Sequence, residues 1–212
     1  MANQKKQGMN LPNKLTVLRV CLVPVFITVM MLPASVLSPI ISGLIGVAIF
    51  IIASVTDMLD GKIARKYGLV TDFGKLMDPL ADKFMVIGAL TVIVYRAGSH
   101  AARLFFTLIL LVVIFRELAV TSLRLVASTS AGAVVAANML GKIKTVMQIV
   151  FISTVFIEPA IYAIPGVGNA LPTWWVSYPP LSYLTGGLTL IFTVWSGINY
   201  FIGMWKYLDP QK

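Results

Sequence analysis

Charge is scarce in this chain: Asp, Glu, Lys and Arg make up 12% of its 212 residues, about half the share found in ordinary soluble domains. With 58% apolar residues, that scarcity excludes a soluble globular domain and leaves an integral membrane protein. Cys21 is the only cysteine and lies inside an apolar run, which excludes an internal disulfide and a cysteine-ligated metal. His100 is the only histidine and reads as a loop residue, so imidazole-rich metal sites are excluded as well. Tandem repeats are absent too.

Long apolar stretches run at about 15–32, 36–55, 84–95, 104–115 continuing to 126, 145–157 and 181–200. They predict an all-α membrane protein of six transmembrane helices, forming one domain over residues 1–212, with 1–14 as a cytoplasmic juxtamembrane segment. About 20 residues cross the hydrocarbon core, so the third and fifth spans must borrow turns from their polar flanks. The lysines before the first run suggest a secretory leader, but the run is too long and no small-residue cleavage site follows; the span is expected to be retained.

The 17 basic residues outnumber the eight acidic ones, a net charge of +9. Most of them fall at the termini and at the second-to-third and fourth-to-fifth connections, whereas Arg96 and Arg103 flank the other side. The inside-positive rule therefore puts both termini in the cytoplasm of a multi-pass protein of the cell membrane. This surplus reads as topology setting and attraction to anionic headgroups, so the partner surface is the lipid bilayer and not nucleic acid. The segment 158–180, rich in Pro, Gly, Trp and Tyr, is expected to be an outer loop anchored at the interface.

Five of the eight acidic residues fall between Asp57 and Asp82. Four of them follow the spacing Asp57-x2-Asp60-Gly61-x2-Ala64-Arg65-x8-Gly74-x3-Asp78-x3-Asp82. Carboxylates in a bilayer cost about 2.5–3.5 kcal/mol each at its centre, and two divalent ions would balance these four charges. Asp57 and Asp60 are three apart and Asp78 and Asp82 four apart, so on helices each pair shares a face. Pro79 suggests that a helix begins there, with Asp78 as its cap. Gly61 and Gly74 leave room for close approach, and Arg65 offers a phosphate-matching guanidinium. Oxygen ligands without His or Cys favour Mg2+, with Mn2+ or Ca2+ as alternatives. Paired ions suit transfer at a diphosphate, with the active site facing the cytoplasm.

The run from Asp57 to Asp82 resembles the defining motif of the CDP-alcohol phosphatidyltransferase family at every specified position. Such enzymes move a phosphatidyl group from a CDP-linked lipid to an alcohol and release CMP. The resemblance implies that Asp57, Asp60 and Asp78 ligate metal and that Asp82 both touches a metal and deprotonates the incoming hydroxyl. It implies contacts to the CDP portion from Asp57, Asp60, Gly61, Arg65, Thr71 and Gly74. Asn13 and Thr16 are similar to a further nucleotide-contacting element, although Asn and Thr at a helix start are also ordinary caps. A homodimer is implied by the resemblance alone, since small residues such as Ser42, Gly43 and Gly46 serve equally for packing within a subunit.

Arg116 and Glu117 lie inside an apolar span, where ionisable groups face a bundle interior or cavity. With Arg124, Lys142 and Lys144, Arg116 makes a basic set suited to an acceptor phosphate. The stretches 10–16 with Arg19, Arg116-Glu117 and 141–145 resemble the phosphatidylglycerophosphate synthase branch of the family, which implies CDP-diacylglycerol and sn-glycerol 3-phosphate as substrates. Phosphatidylglycerol, inositol phosphate or serine remain alternative acceptors. A divalent-cation transporter is a further alternative, although it leaves Gly61, Arg65 and Gly74 without a role.

Overall fold

The computed structural model describes residues 9–69, 71–131 and 139–205, without the side chains at positions 58, 60, 65, 75 and 128–131. Six long helices account for most of it: α1 (Leu11–Met31), α2 (Pro39–Lys66), α3 (Asp72–Arg96), α4 (His100–Ala131), α5 (Met139–Tyr162) and α8 (Pro180–Met204). Two short ones, α6 (Val167–Ala170) and α7 (Thr173–Ser177), lie between α5 and α8. No strand occurs among the described residues. All but α3 of the six are long and apolar enough to cross a membrane. The exception, α3, has 25 residues and therefore comparable length, but carries Asp78, Asp82 and Lys83 on its first half.

Local chemistry sets the helix ends. The Asn10 side chain accepts from the Asn13 amide at 3.0 Å, capping α1. Ser38 does the same for α2, with Pro39 following it in the first turn, where a missing amide proton is no loss. Gly68 adopts φ 64°, and Leu69 N–H reaches back to Ala64 O at 2.9 Å, a glycine-terminated stop that turns the chain from α2 into α3.

The start of α3 differs from the expectation built on Pro79. Thr71 is the cap, accepting from Gly74 N–H at 3.0 Å, and Pro79 sits inside the helix. Thr71 wins because its hydroxyl satisfies an amide of the first turn, whereas Pro79 removes only one later hydrogen bond. The third span thereby begins twelve residues before its apolar stretch. The expected loop 158–180 also needs correction: α5 continues to Tyr162 through Pro159, and α6 and α7 occupy part of the remainder.

Pairing runs α1 on α2 and α3, α2 on α5, α3 on α4, and α8 on both α4 and α5. Phe26, Phe50, Phe151, Ile93 and Ile109 form the fully buried centre, with Phe26 edge-on to Phe156 at 5.9 Å. Gly43 and Gly46 pack within the subunit. A Cβ on Gly43 would come within 2.5 Å of Phe156 O, and one on Gly46 within 2.7 Å of the Met30 thioether, so both glycines permit close helix crossings.

The buried face of α8 is small and hydroxylic: Ser182, Gly186, Thr189, Thr193, Ser196, Tyr200 and Met204. At its start, Glu158 of α5 accepts from Leu181 N–H at 3.1 Å, Ser182 N–H at 2.7 Å and Ser182 Oγ at 2.6 Å. No residue of α8 caps that end with its own side chain. A carboxylate from a neighbouring helix thus satisfies the orphan amides and meets the positive end of the helix dipole. Tyr162 donates to the same carboxylate at 2.5 Å and receives Trp175 Nε1–H at 2.6 Å. At the opposite end of the bundle, Asn10 Nδ2 donates to Leu69 O at 2.9 Å, joining the start of α1 to the α2–α3 turn.

Candidate active site

The aspartate pairs stand on adjoining helix ends: Asp57 and Asp60 on the last turns of α2, Asp78 and Asp82 on the first turns of α3. The helical spacing inferred for each pair is thus observed. Asp57 and Asp82 line one small cavity of about 10 Å³, together with Arg19, Phe50, Ser54 and Met85. Gly61 and Arg65 follow on α2; the side chains of Asp60 and Arg65 lie outside the described set.

The start of α1 closes over this region. Thr16 donates to Asp78 Oδ1 at 2.5 Å, and Thr71 Oγ1 donates to Asn13 Oδ1 at 2.9 Å. Asn13 and Thr16 are buried, so neither is the solvent-facing cap that such residues often are; Asn10 does that work. Gly74 lies beneath them: a Cβ there would stand 3.1 Å from Asn13 Oδ1, 3.3 Å from Thr71 Oγ1 and 3.7 Å from Asp78 Oδ2. Arg19, one turn beyond Thr16 and itself 2% exposed, binds Asp57 Oδ1 through Nη1 at 2.6 Å. Its fixed charge stabilises a carboxylate on a membrane helix.

A second group forms where α4, α5 and α8 meet. Glu117 receives hydrogen bonds from Lys144 and, at 3.2 Å, from Arg116 Nη1. Arg116 Nη2 donates to Ser196 Oγ at 2.8 Å, while its buried Nε has no acceptor among the described residues. Arg124 Nη2 donates to the Tyr200 hydroxyl at 2.5 Å. Lys142 is exposed and, two residues from Lys144, lies about 200° round α5; the contacts join Lys144 to the group and not Lys142. Asp82 links the two groups, being within electrostatic reach of Lys144, Glu117, Lys83 and Arg19.

The family model for CDP-alcohol phosphatidyltransferase matches residues 9–195. The chain belongs to the CDP-alcohol phosphatidyltransferase family. It is 42% identical over 210 residues to the CDP-diacylglycerol–glycerol-3-phosphate 3-phosphatidyltransferase of Bacillus subtilis strain 168, covering 96% of this chain and 99% of the relative. Proteins of the same name from Pseudomonas fluorescens and Escherichia coli K12 are 34% and 32% identical. Those matches cover 96% and 90% of this chain, and 94% and 92% of the relatives.

As a CDP-alcohol phosphatidyltransferase the chain must handle a diphosphate, and its donors suit a hard divalent ion: they are carboxylate oxygens, two of them on one cavity. Among the described residues no three acidic, His or Cys side chains stand close enough to share an ion. The Asp60 side chain is outside them. Sequence reasoning did not single out Arg19, Ser196 or Tyr200 as site residues. A cation inside an apolar run was a usable signal for Arg19; Ser196 and Tyr200 look like any other residues of an apolar helix.

Proposed function

We propose that this enzyme transfers the phosphatidyl group of CDP-diacylglycerol to sn-glycerol 3-phosphate, giving phosphatidylglycerophosphate and CMP. The names of the curated relatives support both substrates. The observation that carries the reading is the position of Asp82, which shares a cavity with Asp57 and lies within the field of the Lys144–Glu117 pair. A carboxylate between a diphosphate-suited group and a cationic pocket is where a hydroxyl proton must be taken.

Asn13, Thr16, Asp57, Asp60, Gly61, Arg65, Thr71 and Gly74 hold the CDP portion. Arg116, Arg124 and Lys144 hold the acceptor's phosphate; Lys142, exposed on the other side of α5, is left out of that set. Asp82 accepts the proton of the primary hydroxyl, the freed oxygen forms a bond to the phosphorus bearing diacylglycerol, and the bond from that phosphorus to CMP breaks. Two divalent ions, Mg2+ foremost and Mn2+ next, would be held by Asp57, Asp60, Asp78 and Asp82 and would stabilise charge on the attacking and leaving oxygens.

The six long helices span the cell membrane with both termini and the carboxylates on the cytoplasmic side, and two copies form a homodimer. The basic bias toward that side supports the orientation. Lipid tails stay in the bilayer while the headgroup reaches the cavity.

The test is a panel of acceptor alcohols with CDP-diacylglycerol, followed by identification of the lipid product. Glycerol 3-phosphate is expected to dominate, Asp82→Asn to stop turnover, and chelation to stop CMP release until Mg2+ or Mn2+ is restored. A dominant product from phosphatidylglycerol, inositol phosphate or serine would refute the acceptor assignment, and full CMP release by the inserted Asp82→Asn enzyme would refute the base.

A further inference from the structure

The helix that carries no charge in its described span contributes the contacts that aim two of the cations. Ser196 and Tyr200 are four apart on α8, so they share a face, and that face is buried against α4 and α5. Tyr200 lies between two guanidinium groups: Arg124 is 5.0 Å and Arg116 5.6 Å from its ring centroid. The Tyr200 hydroxyl accepts from Arg124 Nη2, and Ser196 Oγ accepts from Arg116 Nη2. A neutral acceptor and an aromatic face orient Arg124 without cancelling its charge, whereas Glu117 pairs with both Lys144 and Arg116. Gly141, at the start of α5, completes the arrangement. A Cβ there would lie 3.7 Å from both Arg116 Nη2 and the Tyr200 hydroxyl, so its absence leaves the space beside them open.

We infer that Tyr200 and Ser196 are positioning residues for the acceptor's phosphate, Tyr200 holding Arg124 aimed and uncancelled and Ser196 steadying Arg116 beside Glu117, so that a phosphorylated alcohol is preferred over an unphosphorylated one. This rests on the proposed role of Arg116 and Arg124. A guanidinium whose partners are a hydroxyl and a ring keeps its attraction for a phosphate dianion. One neutralised by a carboxylate must first surrender that partner. The α8 residues therefore govern acceptor affinity and leave the carboxylate group on α2 and α3 untouched.

The experiment is steady-state kinetics of the full-length enzyme in detergent with both substrates varied, on Tyr200→Phe, Tyr200→Leu, Ser196→Ala and Arg124→Ala. Tyr200→Leu is expected to raise the KM for glycerol 3-phosphate about ten-fold or more, the size set by losing a hydrogen bond to a charged group. Its kcat at saturating acceptor and its KM for CDP-diacylglycerol should stay within about two-fold of wild type, which also shows that the variant is folded. Tyr200→Phe and Ser196→Ala should give smaller rises in the same constant. If Arg124→Ala raises the acceptor KM while Tyr200→Leu and Tyr200→Phe leave it unchanged, the positioning role is overturned and the phosphate pocket stands. If Arg124→Ala leaves it unchanged, the pocket itself is wrong. Equal losses in both KM values for Tyr200→Leu would mean general disruption and also overturn the inference.

Discussion

Thr16 on α1 donates to the carboxylate of Asp78 on α3 across 2.5 Å, so the first helix holds part of the carboxylate group in place. Thr16→Val keeps the shape and removes the donor. Loss of a hydrogen bond to a charged group, about 1.5 kcal/mol at the low end, corresponds to roughly ten-fold. That loss is expected in kcat/KM for CDP-diacylglycerol, with the acceptor KM unchanged, as measured by CMP release.

Gly74→Ala tests the packing beneath Asn13. The added Cβ would stand 3.1 Å from Asn13 Oδ1 and 3.3 Å from Thr71 Oγ1, close enough to push both by a few tenths of an ångström. Small displacements at a reacting site are costly, so kcat/KM for the nucleotide lipid should fall by about ten-fold. The thermal midpoint should move little, because alanine favours the helix.

Glu117→Gln leaves Lys144 and Arg116 without their shared carboxylate. Breaking a buried ion pair by removing one partner costs about 3–5 kcal/mol, and the melting midpoint followed by circular dichroism in detergent should drop by several degrees. Adding Lys144→Met removes the stranded cation. The double variant should regain most of the midpoint and remain inactive; a double variant as unstable as the single one would falsify the pairing account.

Much of this layout was legible beforehand. Three- and four-residue spacings placed each aspartate pair on one helix face, and apolar run lengths located the long helices. Boundaries were harder. Thr71 starts α3 through a hydroxyl-to-amide bond that composition does not mark, so Pro79 looked like the better signal. Glu158 looked like a loop residue because Pro159 follows it, yet the helix continues through that proline and the carboxylate caps α8. Arg19, Ser196 and Tyr200 owe their roles to neighbours on other helices, 38 positions away for Arg19–Asp57 and 80 for Arg116–Ser196; one-dimensional periodicity cannot express such contacts.

Glu158→Ala separates stability from catalysis. It removes acceptors for two amides and the Ser182 hydroxyl, which should cost about 2 kcal/mol, the upper end for loss of a cap. The melting midpoint should fall by a few degrees, while CMP release per folded molecule at saturating glycerol 3-phosphate, measured below that temperature, stays at the wild-type level.

Ser182 and Tyr200 are 18 residues apart on α8, and at 3.6 residues per turn that is five whole turns. The clamp that Glu158 places on Ser182 therefore fixes more than a helix end: it sets the angle at which α8 presents itself along its entire length. Twisting the rod by a single residue step, about 100°, would swing Tyr200 away from the two arginines, so a carboxylate at the far end of the bundle indexes their alignment.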